Sequence, residues 1–204
     1  MSQSLTDALA RQRVLPVVRA ASAGEAVEAT LVLTDAGLTM VELTATTPDW
    51  VVAVGRVRDK RPHTMIGLGT VTDAATASAA IGAGASFLVS PWPSPEVREV
   101  VGAAGIPFLE GAFSPGEVAA SARRGPVKVF PAHALGPAYI RSLRQLLPTA
   151  VLVPTGGIAL DEVPSWLDAG AHAVGVGSDL WMGDLSSRLA RVLDQLVAEQ
   201  EPTA

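Results

Sequence analysis

Cysteine is absent from the 204-residue sequence, and lysine occurs only at Lys60 and Lys128, beside thirteen arginines. Without cysteine, the chain has no disulfides, no thiolate metal sites and no thiol nucleophile. The three histidines (His63, His133 and His172) are scattered and have no metal-ligand spacing. The composition therefore gives no sign of a thiolate or histidine metal site.

The composition also limits the classes of partner. The net charge is −5 and no basic stripe is present, so neither nucleic acid nor an anionic membrane is expected to bind. Residues 74–95 carry no charge, but prolines and polar residues interrupt them, which argues against a spanning helix. The first residues lack the pattern of a signal peptide. We predict one domain, residues 1–204, in a soluble cytoplasmic protein.

Short apolar runs alternate with helical segments along the chain. We predict strands over residues 14–19, 38–44, 63–68, 86–90, 107–111, 126–131, 151–154 and 173–176. We predict helices over residues 4–12, 22–36, 48–60, 73–84, 95–104, 115–124, 137–147, 161–169 and 185–199. The result is eight strand–helix units after a short leading helix.

Strands that are continuously apolar are typical of a parallel sheet covered on both faces. Eight βα units favour a single compact α/β (β/α)₈ TIM barrel. A doubly wound open sheet is the alternative. No Gly-x-Gly-x-x-Gly turn follows the first strand, which disfavours the open sheet.

Lys128 lies in the run Pro-Val-Lys-Val-Phe-Pro, residues 126–131, where an ammonium would be buried among valines and a phenylalanine. Such burial is costly for the charged form and favours the neutral amine. A neutral lysine amine is the nucleophile that forms Schiff bases with ketones, which arginine cannot do. Lys60, within a run of charged residues, is expected on the surface.

The active site of such a barrel lies at the C-terminal ends of the strands. Alternation along the strands places Lys128 with Phe130, and Glu42 with Thr44, on the inward face. Arg19 follows the first strand, so a lysine, a glutamate and an arginine are expected near one another. A structural ion pair is the simpler interpretation, but buried pairs seldom add stability, and we favour catalysis.

Glycine turns follow the last two strands, at Thr155-Gly156-Gly157 and Gly177-Ser178. In barrels this pair of loops often binds phosphate through backbone N–H groups, and glycine permits the close approach. A tight turn alone would also explain either glycine pair. Weaker candidates are His133 as a proton shuttle, Glu110 as a second carboxylate or a rim charge, and Trp92 and Trp181 at the mouth of the barrel.

Seven segments, in this order and spacing, resemble the 2-keto-3-deoxy-6-phosphogluconate and 6-phosphogalactonate aldolases, which are class I pyruvate aldolases. They are Pro-Val-Val-Arg (16–19), Val-Glu-Leu-Thr (41–44), Gly-Leu-Gly-Thr-Val (67–71), Val-Ser-Pro (89–91), Lys-Val-Phe-Pro-Ala (128–132), Pro-Thr-Gly-Gly-Ile (154–158) and Gly-Val-Gly-Ser (175–178). The resemblance covers nearly the whole chain. It implies a homotrimeric (β/α)₈ enzyme that acts on a phosphorylated 2-keto acid without a cofactor.

The resemblance also implies roles for single residues. Lys128 would form the Schiff base with the keto carbon, and Glu42 would move protons through water. Phe130 would pack beside the imine. The residues implied at the pyruvyl end are Arg19 and Thr70, with Thr155 and Pro91 nearby. Those implied at the phosphate are Gly156, Gly157, Gly177 and Ser178.

Four positions depart from the family pattern, at Thr46, Trp92, Glu110 and His133. Many members have an arginine where this chain has Thr46, and Arg19 is a candidate to supply that charge. The departures crowd and recharge the aldehyde end, so they leave the substrate open. Some segments, such as residues 47–50 and 135–140, are closer to the galactonate branch. The alternatives are a 4-hydroxy-2-oxoglutarate aldolase, a phosphate-binding isomerase or epimerase, and a barrel that only binds phosphorylated ligands.

Overall fold

Parallel strands form the inner layer of the protein, and helices cover them. The computed structural model describes residues 4–198. Its strands are β1 (Val14–Val18), β2 (Met40–Thr44), β3 (Met65–Gly69), β4 (Phe87–Val89), β5 (Phe108–Ala112), β6 (Val127–Val129), β7 (Leu152–Pro154) and β8 (Val174–Val176). Its α-helices are α1 (Leu5–Gln12), α2 (Ala23–Asp35), α3 (Trp50–Lys60), α4 (Ala74–Ala83), α5 (Pro95–Ala104), α6 (Pro115–Ala122), α7 (Gly136–Leu146), α8 (Val163–Asp168) and α9 (Leu185–Ala198).

The sheet follows chain order around the barrel. The hydrogen-bonded order is β7-β6-β5-β4-β3-β2-β1-β8, and all pairs are parallel. The two ends of the sheet meet through an isolated bridge between Thr155 and Gly175. This nearly closed arrangement confirms the predicted (β/α)₈ barrel with its leading helix. The boundary between β7 and β8 is called the seam below.

Local signals set most helix ends as predicted. Ser22 caps α2 by accepting a hydrogen bond from the Glu25 amide at 3.2 Å. Gly105 ends α5 in the left-handed conformation, with φ of 66°. Ser114 and Glu117 form a reciprocal capping box at the start of α6.

Two predicted helix starts are wrong. Helix α3 begins at Trp50 rather than at Pro48, because Asp49 has φ of 53° and interrupts the helical path. The segment 161–169 is not one helix: a 3-10 turn, Leu160–Glu162, precedes α8. Pro164 has no N–H to continue an α-helical ladder from that turn. The predicted end of the last helix, Glu199, lies outside the described residues.

The apolar interior is arranged so that only one end of the barrel is open. Inward-facing side chains near the starts of the strands, among them Met40 and Phe87, are fully buried. Leu5 and Leu9 of α1 pack against this group and close the N-terminal end of the barrel. A second, larger layer lies between strands and helices. Over residues 4–198, no helix combines the length and the apolar character that crossing a bilayer requires.

Candidate active site

Lys128 lies in the middle of β6 and points into the barrel. Its register partners are Gly111 on β5 and Val153 on β7. The residue is only 5% exposed, while Val127 and Val129 are buried toward the helices. The alternation predicted from the sequence therefore places the amine at the open end of the barrel.

Glu42 meets Lys128 from the other side of the barrel. Its Oε1 atom lies 3.3 Å from the Lys128 Nζ atom, and the residue is 0% exposed. The second carboxylate oxygen, Oε2, is buried and has no hydrogen-bond partner among the described residues. A buried polar atom without a partner is unusual, and a catalytic role is one of the reasons for which such atoms occur.

Gly69 provides the space that Glu42 occupies. A Cβ atom at Gly69 would collide with the Glu42 carboxylate. Register pairs Gly69 with Thr44, two residues beyond Glu42 on the neighbouring strand. The sequence prediction treated Gly69 only as part of a turn and missed this steric role, which becomes visible once the register is known.

Phe130 forms one wall beside the amine. Its ring centroid lies 5.5 Å from the Lys128 Nζ atom. Gly156, with φ of 99°, lies against the same ring, and a Cβ atom there would come within 2.9 Å of it. The glycine turn after β7 therefore packs directly against the ring that lies beside the amine.

A second glycine of this turn, Gly157, has φ of 68° and lies against His133. The His133 Nδ1 atom is 3.3 Å from the Gly156 carbonyl oxygen. The N–H groups of Gly156 and Gly157 have no acceptor within residues 4–198. Unpaired amides in a glycine turn of left-handed conformation form a concave site for an anion.

Polar groups surround the amine on the other strand ends. Thr70 has a left-handed φ of 60°, which is strained for a β-branched residue and is typical of functional sites. Thr155 is 5% exposed and its hydroxyl donates to the Val153 carbonyl at 3.3 Å. Arg19 lies at the rim, and it has no ion-pair partner in the described part of the chain.

These groups line one cavity of about 660 Å³. All eleven residues predicted for the site contact it: Arg19, Glu42, Thr70, Pro91, Lys128, Phe130, Thr155, Gly156, Gly157, Gly177 and Ser178. Val17 and Ile158 also line it; the sequence analysis names them only within segments that carry the resemblance and assigns them no role. The volume is ample for a small phosphorylated acid.

The departures from the family pattern and the weaker candidate Trp181 lie in different places relative to the cavity. Trp92 and Trp181 line the cavity and are 55% and 40% exposed, so both aromatic rings lie at its mouth. His133 also lines it. Thr46 does not: it is exposed, and its hydroxyl lies 3.0 Å from that of Thr44, which does line the cavity.

The position of Glu110 contradicts its predicted role as a second active-site carboxylate or a rim charge. It is buried on β5 but pairs in register with Val127, so it faces the helices rather than Lys128. Its carboxylate accepts from the Ser121 hydroxyl at 2.7 Å and contacts the guanidinium groups of Arg98 and Arg124. Glu110 is thus neither a second active-site carboxylate nor a charge at the aldehyde end.

Arg98, which contacts the Glu110 carboxylate, lies in a partly buried, positively charged environment. Burial, and then the nearby Arg124, lower the pKa of Arg98 from its usual value. A lone cation would be costly here, and Glu110 compensates it.

No group of three or more acidic, histidine or cysteine side chains arranged for a metal occurs among residues 4–198.

Proteins of known activity are similar to this chain in sequence and in fold. The family model described as "Aldolase: KDPG and KHG aldolase" matches residues 5–194. A 2-dehydro-3-deoxy-phosphogluconate aldolase of Pseudomonas aeruginosa is 34% identical over 79% of this chain and 75% of its own length. A 2-dehydro-3-deoxy-6-phosphogalactonate aldolase of Escherichia coli is 31% identical over 82% of this chain and 84% of its own.

A solved structure adds a chemical parallel. The KDPG aldolase of Legionella pneumophila, captured with pyruvate as a covalent carbinolamine, is 25% identical, with a TM-score of 0.81 over 94% of both chains. The match of the family model to nearly the whole barrel, together with 34% identity to a curated relative, establishes that this chain belongs to the KDPG and KHG aldolase family.

Proposed function

We propose that this protein is a class I aldolase that cleaves a 2-keto-3-deoxy-6-phospho sugar acid to pyruvate and D-glyceraldehyde 3-phosphate. The observation that carries the proposal is the buried Lys128–Glu42 pair, 3.3 Å apart, in which the second Glu42 oxygen is buried and has no hydrogen-bond partner among residues 4–198. Relatives named as gluconate and galactonate aldolases support the substrate class.

Lys128 begins the reaction as the nucleophile. After its proton passes to Glu42, the neutral amine attacks C2 of the substrate, and the carbonyl oxygen becomes a hydroxyl on a carbinolamine. Glu42 returns a proton through water so that this hydroxyl leaves as water, which gives the protonated imine. A group that must both accept and donate protons is helped by an oxygen that no other hydrogen bond occupies, and Oε2 of Glu42 has no such bond within residues 4–198.

The protonated imine then accepts the electron pair of the C3–C4 bond. Glu42, through water, takes the proton of the C4 hydroxyl, C4 becomes the aldehyde carbon, and an enamine of pyruvate remains on Lys128. Protonation of the enamine at C3 and hydrolysis of the imine release pyruvate and restore the amine. Phe130, with its ring centroid 5.5 Å from Nζ, excludes water from one side of these intermediates.

The ends of the substrate are held by separate groups. Arg19, without an ion-pair partner in residues 4–198, and Thr70 bind the carboxylate, with Thr155 and Pro91 beside them. The phosphate is bound at the glycine turns by backbone N–H groups of Gly156, Gly157, Gly177 and Ser178. The 3-10 turn that begins at Ser178 adds amides without intrahelical acceptors.

The experiment is to incubate the protein with pyruvate, reduce with borohydride, and identify the modified peptide by mass spectrometry. We expect one adduct, on Lys128, and none on Lys60. Absence of an adduct on Lys128 would refute the Schiff-base mechanism. An isomerase or epimerase on the same barrel would give no adduct, because its chemistry needs no buried amine.

The choice of sugar acid is a separate measurement. The gluconate- and galactonate-derived substrates differ in configuration at C4, and we expect faster turnover of the galactonate-derived acid. Equal rates would leave this branch assignment without support. A gluconate preference would instead favour a role in Entner–Doudoroff sugar breakdown. The unphosphorylated 4-hydroxy-2-oxoglutarate is the third substrate to compare.

We also propose a cytoplasmic homotrimer. The support for oligomerisation is the resemblance to the aldolase family together with exposed apolar side chains on α3, where Val51 and Val52 are 46% and 44% exposed. The support for the cytoplasm is the expected substrate, a phosphorylated metabolite. Light scattering of the purified protein measures the assembly, and a monomeric mass would contradict the trimer.

A further inference from the structure

Backbone pairing in the barrel is sparsest between β7 and β8, the two strands that the glycine turns follow. Strands β7 and β8 form no ladder: the isolated bridge between Thr155 and Gly175 and one hydrogen bond, from the His172 amide to the Leu152 carbonyl at 2.9 Å, join them. Every other neighbouring pair has a ladder of two or more register pairs. The turn after β7 and the turn after β8 lie on opposite sides of this seam. Backbone pairing alone therefore does little to fix the distance between them.

The carboxylate of Asp179 crosses the seam. Asp179 belongs to the 3-10 turn Ser178–Trp181, directly after Gly177. Its Oδ2 atom accepts a hydrogen bond from the Leu160 N–H at 2.7 Å. Leu160 begins the 3-10 turn that follows the loop containing Gly156 and Gly157. The Asp179 side chain therefore connects the loop after β8 with the loop after β7.

Arg188 holds that carboxylate and its backbone from α9. Its Nη2 atom lies 2.5 Å from the same Oδ2 atom. Its Nη1 atom donates to the carbonyl oxygens of Asp179 at 2.8 Å and Met182 at 2.7 Å. The Arg188 side chain is 16% exposed, and a charged pair in this environment keeps a fixed geometry better than a surface pair.

The electrostatics agree with this geometry. Burial alone would raise the pKa of Asp179, but the Leu160 amide and Arg188 outweigh burial and lower it. The hydrogen bond that Arg188 donates to the Asp179 carboxylate is the main reason that the pKa of Arg188 is raised. Both groups are therefore charged at neutral pH, and each stabilises the other's charge.

We propose that Asp179 and Arg188 are positioning residues for the substrate phosphate: together they hold the two glycine turns at the spacing that a single phosphate group bridges. Neither residue lines the cavity, so neither is expected to touch the substrate. This inference rests on the proposed aldolase function and adds the element that links its two phosphate-binding loops. Neither residue was selected by the sequence analysis.

The test compares two aldehydes in the condensation direction with pyruvate: D-glyceraldehyde 3-phosphate and D-glyceraldehyde. The ratio of their kcat/KM values measures the contribution of the phosphate and cancels any loss of correctly folded protein. We expect Asp179→Asn and Arg188→Met to lower this ratio roughly 10- to 100-fold, mainly through KM for the phosphorylated aldehyde. Arg188→Lys, which keeps the charge, is expected to recover part of the ratio.

The control variant is Asp35→Asn, which removes the same charge from the surface pair with Arg61, 2.6 Å apart. It is expected to leave the ratio unchanged. An equal fall in kcat/KM for both aldehydes in Asp179→Asn and Arg188→Met would overturn the inference, because it would indicate a general structural loss. An unchanged ratio in both variants would overturn it as well.

The rate of borohydride trapping with pyruvate separates this inference from the proposed function. If the wild-type protein forms no adduct on Lys128, the aldolase proposal fails. If the wild type forms the adduct and the variants keep the wild-type aldehyde ratio, only the positioning role fails. We expect the variants to trap pyruvate at the wild-type rate, since pyruvate carries no phosphate.

Discussion

The Lys128 Nζ atom and the Glu42 Oε1 atom lie 3.3 Å apart inside the barrel, on strands that are four positions apart in the sheet. Each side chain compensates the cost of burying the other's charge. A purely structural pair would be expected to satisfy both carboxylate oxygens. Within residues 4–198 the Glu42 Oε2 atom has no hydrogen-bond partner, which favours a catalytic pair over a structural one.

Replacement of Lys128 tests the nucleophile. Lys128→Arg keeps the positive charge near Glu42, but a guanidinium does not form a Schiff base, so cleavage should fall by roughly 10⁵-fold or more. Borohydride trapping with pyruvate should disappear. Lys60→Arg is the matched control, since it changes the other lysine of the chain, which is exposed at the end of α3. Wild-type turnover in Lys128→Arg would contradict the assignment.

Glu42→Gln tests proton transfer while keeping the shape of the side chain. The amide cannot accept a proton from the amine or return one, so kcat should fall about 10²- to 10⁴-fold. Slow formation of the adduct on Lys128 should persist, because the nucleophile is intact. Single-turnover trapping measures this rate. An unaltered trapping rate together with normal turnover would exclude Glu42 from the chemistry.

Glu110→Gln is the counterpart on β5, since Glu110 is equally a buried strand glutamate but faces the helices. The neutral amide leaves Arg98 and Arg124 without their compensating charge, so the free energy of unfolding should fall by roughly 2–4 kcal/mol. Denaturant titration measures this loss. Activity per folded molecule should be unchanged. The opposite result, lost activity at wild-type stability, would place Glu110 in the mechanism after all.

Gly157→Ala tests the glycine turn after β7. Alanine is strained at φ of 68°, and its Cβ atom would come within 2.8 Å of His133. We expect KM for a phosphorylated substrate to rise about tenfold or more, with a smaller effect on an unphosphorylated one. Gly55→Ala in α3 is the control, because nothing lies within 4 Å of its added Cβ atom. A proportional loss with both substrates would argue against a phosphate contact.

The barrel and most of its site could be predicted because both follow local rules. Continuous apolar runs separated by capped helices specify a parallel sheet, and alternation along β6 specifies the direction of Lys128. The position of each site residue at the end of a strand then brings distant residues together without further information. All eleven predicted residues line the cavity for this reason.

The remaining features depend on register and on contacts between elements, which no local pattern contains. Glu110 was placed near the aldehyde end, but register with Val127 turns it outward. The space that Gly69 leaves for Glu42 is visible only when β2 and β3 are aligned. The pairing of Asp179 with Arg188 joins a strand-end turn to the last helix, and the sequence separation gives no sign of it.

The dependence of the free energy of unfolding on pH in the acidic range tests the Asp179–Arg188 pair. Because the folded-state pKa of Asp179 is lowered, its pairing stabilises the protein above the ordinary carboxylate value of about 3.9, and this stability is lost as pH falls through the folded-state pKa. We expect Asp179→Asn to reduce the free energy of unfolding by roughly 1–3 kcal/mol at neutral pH. The difference from wild type should shrink below about pH 4.

Denaturant titrations of wild type and Asp179→Asn at a series of pH values measure this difference. Asp35→Asn controls for the change in net charge, since it removes one carboxylate from a surface pair with Arg61. The sign is decisive: unfolding must take up a proton at low pH if Asp179 is held as the anion in the folded protein. A difference that stays constant from pH 7 to about pH 2.5, or that grows toward acid, would mean that the Asp179 carboxylate is not held by Arg188 and the Leu160 amide in solution.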